Sequence, residues 1–265
     1  MCAVYKRKLA AAKFVRKSRL ILGLDLVANT TLYRSDARII EKKGLAEKAR
    51  NTIRQTSDHV LAYKFNRHLV LPLGLYDEIP DLIDLIHDLG LTAIMDCKIN
   101  DIGHSNEIIA KYYLDAGFDA IIVNPFVGWD NGLDSVFKVA TERSKGIITL
   151  CYMSHPAAEE GYGLRVALDE KGKKWEPLYL EFARRAKKWE ADGVIVGATY
   201  PERITEVKDI LGDAVPIISP GVGAQGGSAS KAIKAGAEYV IVARSIINAD
   251  NPGEAARTLA EETMQ

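Results

Sequence analysis

Short apolar runs recur along this chain, each followed by a stretch in which apolar and charged residues alternate at helical spacing. Runs at residues 20–24, 60–65, 91–95, 120–123, 146–150, 193–196, 215–218 and 239–243 are rich in Val, Ile and Leu and predict eight buried strands. Between them, residues 76–89, 106–116, 177–191, 202–211 and 228–235 carry the 3.6-residue apolar period of amphipathic helices. Strands alternating with helices in this way predict a closed (β/α)8 TIM barrel, with a doubly wound open sheet as the alternative. The chain shows neither a low-complexity linker nor a short internal repeat, so residues 1–265 are expected to form a single catalytic domain.

Two connections are longer than a minimal barrel needs. Residues 29–58 are charged, with 41–56 helical in pattern, and are expected to decorate the outside. Residues 154–176 are rich in glycine and charge and include Gly161-Tyr162-Gly163 and Lys171-Gly172-Lys173-Lys174. In a barrel this loop opens onto the catalytic face, where long connections act as lids, and its Lys-rich tip is expected to be a solvated excursion.

Composition narrows the class. Lys plus Arg and Asp plus Glu number 35 each, so no global field draws in nucleic acid or an anionic membrane. No apolar run reaches membrane-spanning length, and the basic segment 6–17 is not followed by the apolar core of a signal peptide. A cytoplasmic protein is expected. Cys2, Cys97 and Cys151 are too scattered for a disulfide framework, and the five histidines lack metal-ligand spacing, so no metal is expected.

The chemistry concentrates where the third strand is expected to end, in Asp96-Cys97-Lys98-Ile99-Asn100-Asp101. Strand alternation sends Asp96 and Lys98 to one face, where opposite charges at this spacing form either an ion pair or a reaction site. Asp101 falls at the following turn and reads equally as a helix N-cap, with Ser105 a second capping candidate. Other polar residues align with strand C-termini, where barrels of this kind build their sites: Asp25, Lys64, Asn124, Ser154, Ser219 and Arg244. The run from Ser219 through Pro220, Gly221, Gly223 and Gln225 to Gly227 lets main-chain N–H groups approach an anion closely. Its place after the seventh strand, with the forked cation of Arg244 after the eighth, predicts a phosphate site.

Asp96-Cys97-Lys98-Ile99-Asn100-Asp101-Ile102 resembles the Asp-x-Lys-x-x-Asp-Ile signature of the orotidine 5′-monophosphate decarboxylases, which make UMP. The segment 218–227 with Val242-Ala243-Arg244-Ser245-Ile246 resembles that family's phosphate-binding region, and Met153-Ser154-His155-Pro156 its pyrimidine-contacting segment. The resemblance covers nearly the whole barrel apart from residues 29–58 and the tails. It implies Lys98 as the general acid that protonates C6 of the pyrimidine, with Asp96 beside the substrate carboxylate. Lys64 and Asp101 would complete an alternating charge array, Asp101 entering from a partner subunit of a homodimer. Asp25 and Lys64 would engage the ribose, joined by Ser105 and Asp101 from across the dimer. Ser154 would read the pyrimidine amide edge, and Gln225, Arg244 and main-chain groups near Pro220 and Gly223 would hold the phosphate. Ser105 stands where the family commonly has threonine, and Gly103 and His104 stand where proline and an acidic residue are more usual.

The chemistry is intelligible on its own terms. Loss of carbon dioxide leaves electron density on a ring carbon, and a fixed ammonium there stabilises charge as it develops, with no cofactor needed. Two rivals remain: a sugar-phosphate decarboxylase or aldolase of the same superfamily, which needs carboxylates for a divalent metal, and a noncatalytic phosphate-ligand binding protein. Gln225 and Ser154 favour the nucleotide reading over the first, and intact Asp96, Lys98 and Asp101 favour catalysis over the second.

Overall fold

Ten strands form among the described residues, 4–28, 38–169 and 172–265, of a computed structural model. They are β1 (Leu20–Leu24), β2 (Ala62–Asn66), β3 (Thr92–Ile99), β4 (Ala120–Val123), β5 (Gly146–Tyr152), β6 (Arg165–Ala167), β7 (Trp175–Pro177), β8 (Gly193–Val196), β9 (Ile217–Pro220) and β10 (Tyr239–Val242). Eight are parallel and close into a barrel in the order β1-β10-β9-β8-β5-β4-β3-β2, which rules out the open sheet. β6 and β7 pair antiparallel as a separate hairpin.

Strand alternation sorts the core into two layers. Ile21, Ala62, Ile94, Ile122, Ile148, Leu150, Ile195, Ile218 and Ile241 fill the barrel interior. Their neighbours, among them Leu20, Leu22, Tyr63, Phe65 and Val240, face the surrounding helices. Parallel strands covered on both sides must be apolar at every position, which is why these runs show no polar alternation in sequence. The helix Val4–Arg16, absent from the sequence-based expectation, contributes Tyr5 and Leu9 to the interior layer. Its lysines reach acidic groups of the barrel, Lys8 to Asp119 at 3.1 Å and Lys13 to Glu238 at 2.5 Å.

Several boundaries differ from the sequence reading. β3 does not stop at Met95 but runs to Ile99, carrying Asp96 and Lys98 inside the strand. β9 lies two residues later than expected, so Ser219 is fully buried facing the helices, and Pro220, on the same face as Ile218 and in register with Ile241, faces the interior. The helix Arg38–Thr56 is more than decoration: Leu45, Ala46, Ala49 and Ile53 are buried against the barrel. Residues 29–37 of that connection lie outside the described residues, as does Lys171 of the Lys-rich tip. The expected helix over 76–89 forms as Ile79–Asp88, starting three residues late because the chain kinks at the non-helical Tyr76 after a separate helix, Arg67–Leu73. The lid-length loop after β5 holds a short helix, Ala158–Tyr162, and the β6–β7 hairpin.

Candidate active site

A cavity of about 580 Å³ opens among the C-terminal ends of the barrel strands. Its charged wall comes from β1, β2 and β3, through Asp25, Lys64, Asn66, Asp96 and Lys98. Ile122, Leu150 and Ile195 give it an apolar floor, and Pro220, Gly221, Val222, Ala224 and Gln225 with Arg244 line it at the ends of β9 and β10.

The charged wall is one connected array. Lys98 Nζ donates to Asp96 Oδ1 at 2.5 Å, and Lys64 Nζ donates to Asp96 Oδ2 at 3.1 Å. Lys64 also donates to the Asn66 side-chain oxygen, whose amide nitrogen donates in turn to Asp25. Lys64 Nζ stands 3.9 Å from Asp25 Oδ1. Lys64 is only 8% exposed at its side chain and Asp96 11%, so water does little to screen this pair. Burial by itself would raise the Asp96 carboxyl, but the charges and hydrogen bonds of Lys64 and Lys98 outweigh it and hold the group below the usual carboxylate range.

Simple alternation does not account for how Lys98 reaches Asp96. The pairing of β3 with β4 slips between Met95 and Ile99, and Lys98 sits at φ 49°, in the left-handed region a non-glycine residue seldom adopts. Such bulges re-aim side chains beside functional sites. Cys97, between the two charged residues, is buried and its thiol is pushed up to about 12, so it is not a nucleophile at neutral pH.

Ser154 is seated by two glycines. A Cβ on Gly197 would fall 2.6 Å from Ser154 Cα, and one on Gly221 would fall 2.8 Å from Ser154 Cβ. Thr199 Oγ1 further donates to the Ser154 carbonyl at 3.0 Å. The loop after β9 folds on itself, with Gly223 N donating to Gly227 O at 2.9 Å and Gly226 N to Gly223 O at 2.7 Å. Gly223 is therefore committed within the loop, and Ala224 and Gln225 line the cavity instead.

Of the residues expected at the site, Asp25, Lys64, Asp96, Lys98, Ser154, Pro220, Gln225 and Arg244 line one cavity. Asp101, Ser105 and Gly223 are not among its lining residues. Asp101 is exposed and is not a helix N-cap: Ile102 holds that position, and Asp101 Oδ1 accepts only from the adjacent Ile102 N, at 2.7 Å, among the hydrogen bonds of the described residues. Ser105 lies inside the helix Gly103–Asp115 and caps nothing. Asn124 Oδ1 accepts from Phe126 N at 3.0 Å, a local turn contact, and Ser219 is buried away from the cavity.

The orotidine 5′-phosphate decarboxylase / HUMPS family model matches residues 18–259. The chain belongs to this family. An orotidine 5′-phosphate decarboxylase of Methanococcoides burtonii is 35% identical over 247 residues, 93% of this chain and 98% of that one. That of Pyrococcus abyssi is 40% identical over 217 residues, 82% of this chain and 93% of that one. The crystal structure of the Methanocaldococcus jannaschii orotidine 5′-monophosphate decarboxylase, complexed with the inhibitor BMP, is similar with a TM-score of 0.75 and 31% identity, covering 94% of this chain and 99% of that chain.

Within this family's barrel, the residues that sequence reasoning missed come from the end of β2. Asn66, Arg67, His68 and Leu71 all line the cavity. Asn66 had a signal, since it lies two residues after Lys64 and strand alternation gives both one face. Arg67, His68 and Leu71 follow a strand that turns at once into helix Arg67–Leu73, which the apolar pattern does not reveal.

Proposed function

We propose that this chain decarboxylates orotidine 5′-monophosphate to UMP in pyrimidine biosynthesis, without a cofactor and with Lys98 as the proton donor. The enzyme is a carboxy-lyase, the activity named for the curated relatives it resembles. One observation carries the reading: the Lys98–Asp96–Lys64 array shares one apolar-floored cavity with the glycine loop, Gln225 and Arg244.

In this reading the phosphate is held by Arg244 and the loop 220–225, and the pyrimidine lies over the apolar floor against Ser154. The C6 carboxylate then meets Asp96, while Lys98 stands beside C6. The bond between C6 and the carboxylate carbon breaks, its electron pair stays on C6, carbon dioxide departs, and the Lys98 ammonium transfers a proton to C6. A cation fixed where charge develops lowers the barrier because it needs no reorganisation at that moment. Binding energy from the distant phosphate contributes by fixing the ring in place.

The finer parts of the proposal are a single catalytic domain, a cytoplasmic location and a homodimer in which Asp101 serves the partner's site. The exposed Asp101 side chain, outside its own cavity, supports the shared site, as do exposed apolar residues on neighbouring elements, Ile102 at 64% and Tyr112 at 54%. A metal-dependent sugar-phosphate lyase fits less well, because the Asp96 oxygens that would bind a cation already bind two ammonium groups. The test is loss of the orotate-type ultraviolet absorbance when purified protein meets orotidine 5′-monophosphate in the presence of EDTA. Unchanged absorbance would overturn the assignment.

A further inference from the structure

Asn106 is fully buried, and its side-chain amide makes three hydrogen bonds to backbone groups of the loops beside the site, using both amide protons and one of the two lone pairs of its oxygen. Its Oδ1 accepts from Asp101 N at 2.9 Å, and its Nδ2 donates to Asp101 O at 2.5 Å and to Gly132 O at 2.9 Å. Both main-chain polar groups of Asp101 are thus held by one side chain. A second set of contacts holds the same loop from the other side. Gly103 is pressed against Asn131 so closely that a Cβ there would fall 2.7 Å from Asn131 Oδ1 and 2.9 Å from its carbonyl oxygen. Asn131 is itself left-handed at φ 53°, and Ser135 Oγ donates to Gly103 O at 2.9 Å. The turn after β3 is therefore fastened to the turn after β4, and the Asp101 side chain leaves it towards solvent.

We propose that Asn106 is a positioning residue that fixes the Asp101 loop in the isolated subunit, so that Asp101 is presented ready-made to the active site of a second copy of this chain. The proposal rests on the shared-site reading above and deepens it. A buried polar side chain that spends both its amide protons and an acceptor position on the backbone of a loop whose Asp101 lies outside its own cavity serves the orientation of that loop. Preorganisation matters because an aspartate that had to be ordered on association would weaken both the dimer and the site.

The deciding experiment is subunit exchange. Asn106→Ala is expected to lower kcat/KM by roughly 100-fold through displacement of Asp101, with the dimer retained in sedimentation. Mixed with Lys98→Ala protein under exchanging conditions, it should recover activity. In the heterodimer, the intact Lys98 of the Asn106→Ala chain receives Asp101 from a chain whose Asn106 is present, so activity should approach about a quarter of wild type after statistical exchange. Asp101→Ala is mixed with Lys98→Ala in parallel and should recover to the same level. The double variant Asp101→Ala with Asn106→Ala should be no worse than Asp101→Ala alone, since both act through one group.

Recovery by Asp101→Ala but not by Asn106→Ala would overturn the proposal while leaving the shared site standing, because Asn106 would then serve its own barrel. Failure of the Asp101→Ala mixture in verified heterodimers would remove the shared site and the proposal with it. Near-normal kcat/KM for Asn106→Ala would also refute the positioning role. Should the alanine variant not fold, Asn106→Ser is taken through the same exchange and judged by the same outcomes.

Discussion

Lys98 meets Asp96 across a strand bulge: Nζ lies 2.5 Å from Oδ1, while the Lys98 backbone is held in a left-handed conformation at φ 49°. A backbone position of this kind costs on the order of 1 kcal/mol or more and persists where the surrounding structure enforces it. Here Ile99 pairs with Val123 after the slip, and its buried side chain anchors the bulge from the far end.

From that contact follows the first prediction. Lys98→Ala should abolish turnover and leave UMP binding largely intact, because Arg244 and the glycine loop line the cavity at the ends of β10 and β9, which β1 and β2 separate from β3. General acid catalysis is typically worth ~100 to 10,000-fold, and stabilisation of charge at C6 adds to it. Single-turnover decarboxylation alongside calorimetric UMP binding measures both, and a near-normal rate would remove Lys98 from the reaction.

The barrel was legible in sequence because parallel strands covered on both faces leave continuous apolar runs, and all eight of those runs form barrel strands. The charged wall was legible because Asp96 and Lys98 are anomalous in such a run. The bulge was not, since no residue type marks a left-handed lysine. The two-residue displacement of β9 escaped for a related reason: Val215 is buried just before the strand and extends its apolar pattern backwards, so the pattern hides which residues pair. The helix Val4–Arg16 was obscured by its charge. Its lysines are there to meet Asp119, Glu238 and the Ala214 carbonyl, partners visible only in three dimensions.

Arg244→Ala should raise KM for orotidine 5′-monophosphate strongly and leave the nucleoside orotidine almost unaffected. Arg244 lines the cavity at the start of the helix Arg244–Ile247, beside the glycine loop. A charge-assisted contact is worth ~1.5 to 3 kcal/mol, or roughly 10 to 150-fold in binding. Steady-state kinetics on both substrates decide the matter, and equal losses on the two would assign Arg244 a structural role.

Asn66 holds Lys64 by its oxygen and Asp25 by its nitrogen. Without that amide, the 3.9 Å gap between Lys64 and Asp25 is free to close, which draws Lys64 away from Asp96. Asn66→Ala should therefore lower kcat/KM by about 10-fold or more, the worth of one hydrogen bond to a charged group. Asn66→Gln, which keeps both functional groups on a longer stem, should recover part of the loss. An alanine variant with wild-type kinetics would show that Lys64 and Asp25 hold their places unaided.

The last prediction concerns the end of the barrel crossed by the N-terminal helix. Asp192 is 1% exposed and accepts hydrogen bonds from Ile147 N at 3.1 Å and Lys6 N at 3.3 Å. Burial dominates these contacts and pushes its carboxyl from an ordinary 3.8 up to about 6. Between those two values the folded chain keeps a proton that the unfolded chain has already released, so stability falls as pH rises through this window. At 1.36 kcal/mol per pKa unit the fall attributable to Asp192 is about 3 kcal/mol, fully developed at neutral pH. This runs opposite to Asp96, whose lowered carboxyl stabilises the fold at neutral pH and is lost only on strong acidification. Asp192→Asn removes the titration, so the stability of wild type relative to this variant should drop by about 3 kcal/mol between about pH 4 and about pH 7 in urea unfolding. Parallel pH profiles for the two proteins would show that Asp192 is ionised in the folded chain throughout, held by Ile147 and Lys6 more strongly than burial opposes it.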